Sequence, residues 1–224
     1  MTKTIKVNEN ILSENDKLAL KIRKKLNENN IFSINVMASP GAGKTSLINQ
    51  TIENLKRKHR VAVIDGDVVD VDLKKMAHHG VPTVLANTGG ACHMDAVMME
   101  KAIASLPLSE IDLLIVENVG NLICPASFDL GTHKSVVIAS VPEGDDKPYK
   151  YPAMFKGADI LILNKADYLK HENFDIEYFL NGVKQLNDKL EFFMLSCKTL
   201  KGIDQWLNWV EKHLLQEFKP NRNS

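Results

Sequence analysis

Residues 38–45, ASPGAGKT, bring two closely spaced glycines, a lysine and a threonine together between an apolar run and a helix-like pattern. That context suits a phosphate cradle. Glycine at 41 and 43 lets backbone N–H groups turn onto phosphate oxygens where a side chain would clash. Gly41, Ala42, Gly43, Lys44, Thr45 and Ser46 are the expected phosphate-binding run, with the positive end of the following helix behind them. Lys44 brings a point charge to the β- and γ-oxygens, and Thr45 a hydroxyl to Mg2+. The stretch matches G-x-x-x-x-G-K-S/T except that Ala38 stands in place of the first glycine.

A second pattern selects the base. LILNKAD at 161–167 closes an apolar run with Asn164, Lys165 and Asp167, an N-K-x-D pattern at a strand's end. The Asp167 carboxylate accepts two hydrogen bonds from guanine, at N1–H and the exocyclic amine. Adenine has no such donor pair and would leave buried polar groups unmatched. Ser196, Cys197 and Lys198, in LSCK, fall where a loop closing over the base is expected. GTP and GDP are therefore the expected ligands.

Hydrolysis needs a carboxylate near the Thr45 metal and a glycine that senses the γ-phosphate. VAVIDGDVVD offers Asp65, Asp67 and Asp70, of which Asp67, just past Gly66, is the expected Mg2+ ligand beside Thr45. IDLLIVENVG ends in an E-x-x-G. Its Glu117 would hold a metal-bound water, and the Gly120 N–H would meet the γ-phosphate. Lys44, Asp67, Glu117 and Gly120 form the predicted hydrolytic set. Asn121, not a glutamine, follows Gly120, which predicts slow intrinsic turnover.

Softer ligands occur elsewhere. Cys92 and His93 adjoin in NTGGACHMDA, and Cys124 follows Gly120 closely in ENVGNLICPASFDLG. An adjacent Cys–His more often marks a buried cysteine beside a surface histidine than a metal site. Cys124, however, sits in the segment that should respond to the γ-phosphate, so a thiolate there would couple metal binding to nucleotide state. Thiolate and imidazole suit Ni2+ or Zn2+, not Mg2+. One chain offers only two or three such ligands; a two-fold dimer would supply more. His78 and His79 read as solvated residues at a helix end, and Cys197 as structural.

The elements that must carry these residues alternate along the chain. IFSINVM, VAVID, TVLAN, IDLLIVEN, SVVIAS, ADILILN and LEFFMLS are short apolar runs of the kind buried on both faces of a parallel sheet. Helical patterns between them fit crossover connections. The expected fold is a P-loop NTPase: an α/β, doubly wound, mostly parallel sheet flanked by helices, with its chemistry at the carboxyl ends of the strands. Residues 1–30 form an N-terminal extension with an amphipathic helix, 31–218 the nucleotide-binding domain, and 219–224 a frayed tail. Ser13 and Asp16 predict a capping box for the first helix, with Leu18, Ile22 and Leu26 on one face. In the last helix Ile203, Leu207 and Val210 face the sheet, while Trp206 and Trp209 divide between core and interface.

Composition narrows the function. The 224 residues carry 28 Lys and Arg against 28 Asp and Glu, so no basic excess supports nucleic-acid binding. No apolar run approaches the roughly 20 residues of a membrane span. MTKTIKVNEN lacks an apolar secretory region, so a cytoplasmic location is expected. Three scattered cysteines do not make a disulfide framework.

Together MASPGAGKTSL, TGGACHMDA, ENVGNLICPASFDLG, EGDDKPYKYPAMF, LNKAD and IDQWLNW carry a resemblance that runs from ENILSENDKLA almost to the end. The chain resembles the HypB family, nickel-insertion GTPases of nickel–iron hydrogenase maturation within the SIMIBI class. The resemblance implies a GTP-favoured homodimer that loads nickel into the hydrogenase large subunit with a small zinc-containing partner, HypA. It also implies that Cys92, His93 and Cys124 bind Ni2+ or Zn2+ near the dimer interface. Lys147, in GDDKP, resembles the family lysine that reaches toward the other subunit's nucleotide; a solvated loop lysine is the alternative. Many members begin with a cysteine-rich or histidine-rich nickel store, whereas the first cysteine here is Cys92, so delivery rather than storage is expected. The family switch segment is here GDVVDVDLKKM, in which Asp67 carries over and a threonine does not. Rival readings are nickel delivery to urease with its accessory proteins, a nucleotide-gated metal-binding module with little hydrolysis, and a P-loop kinase that the guanine pattern disfavours.

Overall fold

Each of the seven apolar runs becomes a strand of one sheet in the computed structural model, which describes residues 7–66 and 80–218. They are β1 (Phe32–Ala38), β2 (Val61–Asp65), β3 (Thr83–Leu85), β4 (Leu113–Glu117), β5 (Lys134–Ser140), β6 (Ile160–Asn164) and β7 (Glu191–Met194), ordered β3-β2-β4-β1-β5-β6-β7. Every pairing is parallel. Each connection must therefore cross a face of the sheet, which is why the central strands are apolar on both sides. Asp65 is level with Glu117, and Ser140 with Asn164, so the loops that follow these strands leave the sheet along one rim.

The covering helices are α1 (Val7–Glu28), α2 (Lys44–Leu55), α3 (Ala96–Ala104), α4 (Lys147–Lys150), α5 (Pro152–Gly157), α6 (Ile176–Leu186) and α7 (Ile203–Glu217). On one face α2 and α7 set Leu47, Ile48, Ile52, Val210 and Leu214 against Phe32, Ile34 and Val36. The other face has two apolar clusters. Ile22 and Leu26 of α1 with Met99 and Ile103 of α3 cover Ile64, Leu114 and Val116. Phe155 of α5 with Phe179 and Val183 of α6 cover Val137, Leu161 and Leu163. Each large side chain buried in this way contributes about 1.5–3 kcal/mol relative to exposure.

Two helical expectations change. The first helix starts at Val7, so Ser13 is inside it and caps nothing. No glycine or proline in VNENIL interrupts the helix before Ser13, and the local capping signal loses to a longer helix. Ile22 and Leu26 are buried as expected, with Leu18 partly so. Both indoles lie in the core rather than dividing between core and surface: Trp206 is 2% and Trp209 7% exposed, stacked at 5.5 Å. Trp206 Nε1 donates to Thr51 Oγ1 at 3.0 Å, and Trp209 Nε1 to Glu191 Oε2 at 2.8 Å, so each buried N–H has a partner.

The second face of β1 departs from the apolar rule, with Ser33 and Asn35 both buried. Ser33 Oγ lies 2.7 Å from His133 Nδ1, whose Nε2 lies 3.0 Å from Asn27 Oδ1. Burial first, then repulsion from Arg23 and Lys134, lowers the His133 pKa to about 4. Asn35 has a partner nearer the functional rim. Asp67, Asp70, His78, His79 and residues 219–224 lie outside the described residues. Among those described, no helix is long and apolar enough to cross a membrane.

Candidate nucleotide and metal site

The phosphate run opens directly from the central strand. Ala38 is the last residue of β1, level with Ile138 of β5 and fully buried, so a methyl group fits where the common pattern has its first glycine. Gly41 and Gly43 have φ of +78° and +106°, the left-handed region that favours glycine. A Cβ on Gly43 would also fall 2.3 Å from Asn164 Nδ2. The glycines therefore leave the turn free of side chains at 41 and 43, ahead of α2, where Lys44 is nearly buried. Pro40, Gly41, Gly43, Lys44, Thr45 and Ser46 line a cleft of about 580 Å³ together with Asp65, Gly66, Glu117 and the 118–120 segment. Thr45 Oγ1 donates to Glu117 Oε1 at 2.8 Å, which brings the predicted metal hydroxyl and the E-x-x-G carboxylate together. The donor set, a hydroxyl and carboxylates beside the glycine turn, fits a magnesium-bound triphosphate. Asp65, level with Glu117 and buried, lines this cleft itself, although the sequence pointed first to Asp67. Gly120 packs so closely on Pro40 that a Cβ would lie 3.1 Å from its Cγ.

Asparagine 164 and lysine 165 join the base pattern to the phosphate run. Asn164 Nδ2 donates to the Ala42 carbonyl at 2.9 Å and Lys165 Nζ to the Gly41 carbonyl at 2.7 Å. Asn164 Oδ1 accepts from Cys197 N at 3.2 Å, tying the LSCK loop to the same residue. Ser196 Oγ donates to Asp167 Oδ1 at 2.7 Å and accepts from Thr199 N at 3.1 Å. That Ser196 bond holds the Asp167 carboxyl below its ordinary pKa, keeping it an acceptor. Asp167, Ser196 and Lys198 border a neighbouring cleft of about 720 Å³. Cys197 faces the core, and burial pushes its thiol up to about 11, in keeping with a structural role.

Cys92 and His93, neighbours in sequence, converge with Cys124, which lies 32 residues from Cys92. Their ligand atoms lie within 4.8 Å of one another, the grouping that donor chemistry would ask of a soft-metal site. Cys92 Sγ lies 2.7 Å from Cys124 Sγ and 3.6 Å from His93 Nδ1. Hydrogen bonding to Cys124, loss of hydration and repulsion between the sulfurs raise the Cys92 thiol above its ordinary pKa. The His93 ring stacks on Phe128 at 3.9 Å, and Asn121 Nδ2 donates to the Cys92 carbonyl at 3.2 Å. Asn121 Oδ1 accepts from Ile123 N at 2.8 Å. The residue in the water-orienting position is thus occupied with the thiol loops. Neither Phe128 nor these asparagine bonds were expected; Phe128, four residues after Cys124 in the same motif, was the available signal.

Lys147 is held within its own chain. Its Nζ lies 3.7 Å from Glu143 Oε1 and 5.3 Å from the Tyr151 ring centre, with the side chain 17% exposed. Glu143 also receives Ser39 Oγ of the phosphate run, and its Oε2 accepts from Ser140 N and Oγ at 2.9 and 2.7 Å. Glu143 had no sequence signal beyond its place in EGDDKP.

Residues 32–194 match the CobW/HypB/UreG nucleotide-binding domain. The chain is 45% identical over 205 residues to the probable hydrogenase maturation factor HypB of Methanocaldococcus jannaschii, covering 91% of this chain and 93% of that one. It is 43% identical over 212 residues to the hydrogenase maturation factor HypB of Azotobacter vinelandii, covering 94% and 70%. The crystal structure of HypB from Helicobacter pylori in complex with nickel is similar over 94% of this chain and all of that one, with a TM-score of 0.86 and 33% identity.

Proposed function

The chain belongs to the HypB family of hydrogenase maturation factors, and from that premise we propose that it is a GTP-hydrolysing nickel carrier. The observation that carries this reading is the meeting of Cys92, His93 and Cys124 at the end of the segment that lines the phosphate cleft. The nickel named with the Helicobacter pylori relative supports Ni2+ as the cargo. In this reading Asp167 selects guanine, with Asn164, Lys165, Ser196, Cys197 and Lys198 shaping its surroundings. The N–H groups from Gly41 to Ser46 bind the phosphates, Lys44 offsets charge that develops on them, and Gly120 senses the terminal one. Thr45 and Asp67 would hold Mg2+, which when bound neutralises phosphate charge, with Glu117 orienting a water of that ion. The attacking water comes in line with the leaving oxygen. Asn121, the residue after Gly120, is bonded to the Cys92 carbonyl and the Ile123 N–H rather than turned to that water, and this supports slow intrinsic turnover.

Loss of the γ-phosphate frees the Gly120 segment, moves Cys124 and loosens the cargo, which passes to a hydrogenase large subunit with a HypA-like partner. A GTP-favoured homodimer completes the ligand set, because three donors leave a nickel ion short of four. Lys147 serves that dimer once it leaves Glu143. The site of action is the cytoplasm, and urease accessory proteins are a second destination. The test is a single-turnover transfer assay: nickel release to a chromophoric chelator, followed with phosphate release after GTP addition. Nickel should leave at the rate phosphate appears, and Lys44→Ala should stop both. Release that is indifferent to GTP would overturn the carrier reading.

A further inference from the structure

We infer that the buried amide of Asn118 is the joint through which the nucleotide cleft and the thiol cluster respond to each other; the inference rests on the carrier reading above. Asn118 follows β4 directly and is 1% exposed. Its Oδ1 accepts from two backbone N–H groups, Met94 at 3.2 Å and Val119 at 2.9 Å. Met94 is the residue after His93, and Val119 the residue before Gly120. A single oxygen therefore holds the loop that bears Cys92 and His93 against the loop that leads to the γ-phosphate glycine. The other end of the amide is fixed: Nδ2 donates to Asn35 Oδ1 at 3.2 Å, and the Asn118 backbone N–H to the Val36 carbonyl at 3.0 Å, both on the strand that ends in the phosphate run.

A second contact crosses the same seam. The Met94 side chain is fully buried and so close to Gly66 that a Cβ there would fall 2.3 Å from its sulfur. Gly66 N in turn donates to the Glu117 carbonyl at 2.8 Å. The loops after β2 and β4 and the thiol loop thus meet at one packed point, in which Asn118 is the polar member. Displacement of Gly120 pulls Val119, and the shared oxygen passes that pull to Met94 and His93. An apolar residue at 118 would bury two N–H groups without an acceptor and leave the loops free to move apart. The polar residue at position 35, inside an otherwise apolar strand, is accounted for in the same way.

The test is the ratio of nickel affinities in the two nucleotide states, measured on the full chain by chelator competition with GDP and with a non-hydrolysable GTP analogue. The wild-type ratio should be about tenfold or more, within the usual range of coupling between sites. Asn118→Ala should bring it to within about twofold of unity while nickel still binds. Asn118→Asp should stay within about threefold of wild type, because a carboxyl oxygen still accepts from the Met94 and Val119 N–H groups and Asn35 can turn its amide to donate in return. A wild-type ratio of one overturns the carrier reading and this inference with it. A wild-type ratio retained by Asn118→Ala, or lost equally by Asn118→Asp, overturns the joint alone. Should Asn118→Ala not fold, amide exchange in the wild type decides: Met94 and Val119 should change protection together between nucleotide states, and an unchanged Met94 amide overturns the proposal.

Discussion

On the β6 and β7 side of the cleft, Asn164 and Lys165 reach across the sheet and bond the carbonyls of Ala42 and Gly41, while Ser196 pins Asp167. On the β2 and β4 side, the loops reach each other mainly through backbone groups gathered on Asn118, and beyond it lie the exposed Cys92 and the part-buried Cys124. The first side is a template, cross-linked by side chains to the phosphate run. The second is a seam, whose contacts depend on where the 118–124 segment sits. In the proposed function base selection calls for a fixed shape and cargo release for a movable one, and the division matches those two tasks.

Substitutions on the two sides should therefore fail differently. The largest effect belongs to the phosphate run that lies between the two sides. Lys44→Ala should lower single-turnover GTP hydrolysis by about 100-fold or more, read as phosphate release, because the proposed mechanism uses its charge to offset charge developing on the phosphates. Cys124→Ala, on the seam, should weaken nickel binding by on the order of 100-fold in a chelator competition while leaving GDP affinity within about twofold. Equal losses of nickel and GDP affinity would erase the distinction between the sides. Asp167→Asn, on the template, should weaken GTP binding by about 50-fold and favour a xanthine nucleotide, whose 2-oxo group accepts from the new amide. Nickel affinity without nucleotide should not follow it.

The smallest effect concerns stability at the opposite end of the sheet. His133 titrates near 4 in the folded chain against about 6.5 unfolded. Between these values the unfolded chain binds a proton that the folded one refuses, so stability rises with pH from about 4 and levels above about 6.5. His133→Gln should flatten that slope, removing on the order of 2 kcal/mol of the difference between pH 7 and pH 4.5 in denaturant titrations. An unchanged slope would mean that another group governs acid unfolding.

The five inner strands were legible because a strand buried on both faces is apolar almost throughout, and the part-exposed edge strands β3 and β7 because their short apolar runs repeat the alternation with helical patterns. The phosphate and base patterns were legible because their residues lie close together in sequence and have few alternative uses. The seam was only half legible. Cys92 and His93 adjoin, and Cys124 lies in a telling motif, but Asn118 and Asn35 are 83 residues apart and have no spacing to mark them. A buried amide in an apolar strand is visible only as a break in the pattern, and the fold alone shows its partner. Ser13 misled for the reverse reason: a sound local cap was overruled by a helix that simply begins earlier.

The claim at the centre is that cargo ligation and nucleotide state are one equilibrium, and the thiolate-to-nickel charge-transfer band of the nickel-loaded protein measures it most directly. Recorded first with GDP and then after exchange to a non-hydrolysable GTP analogue, the band should change in position and intensity in the wild type, and Cys124→Ser should abolish most of it. Superimposable wild-type spectra, with both nucleotides demonstrably bound, would contradict the account.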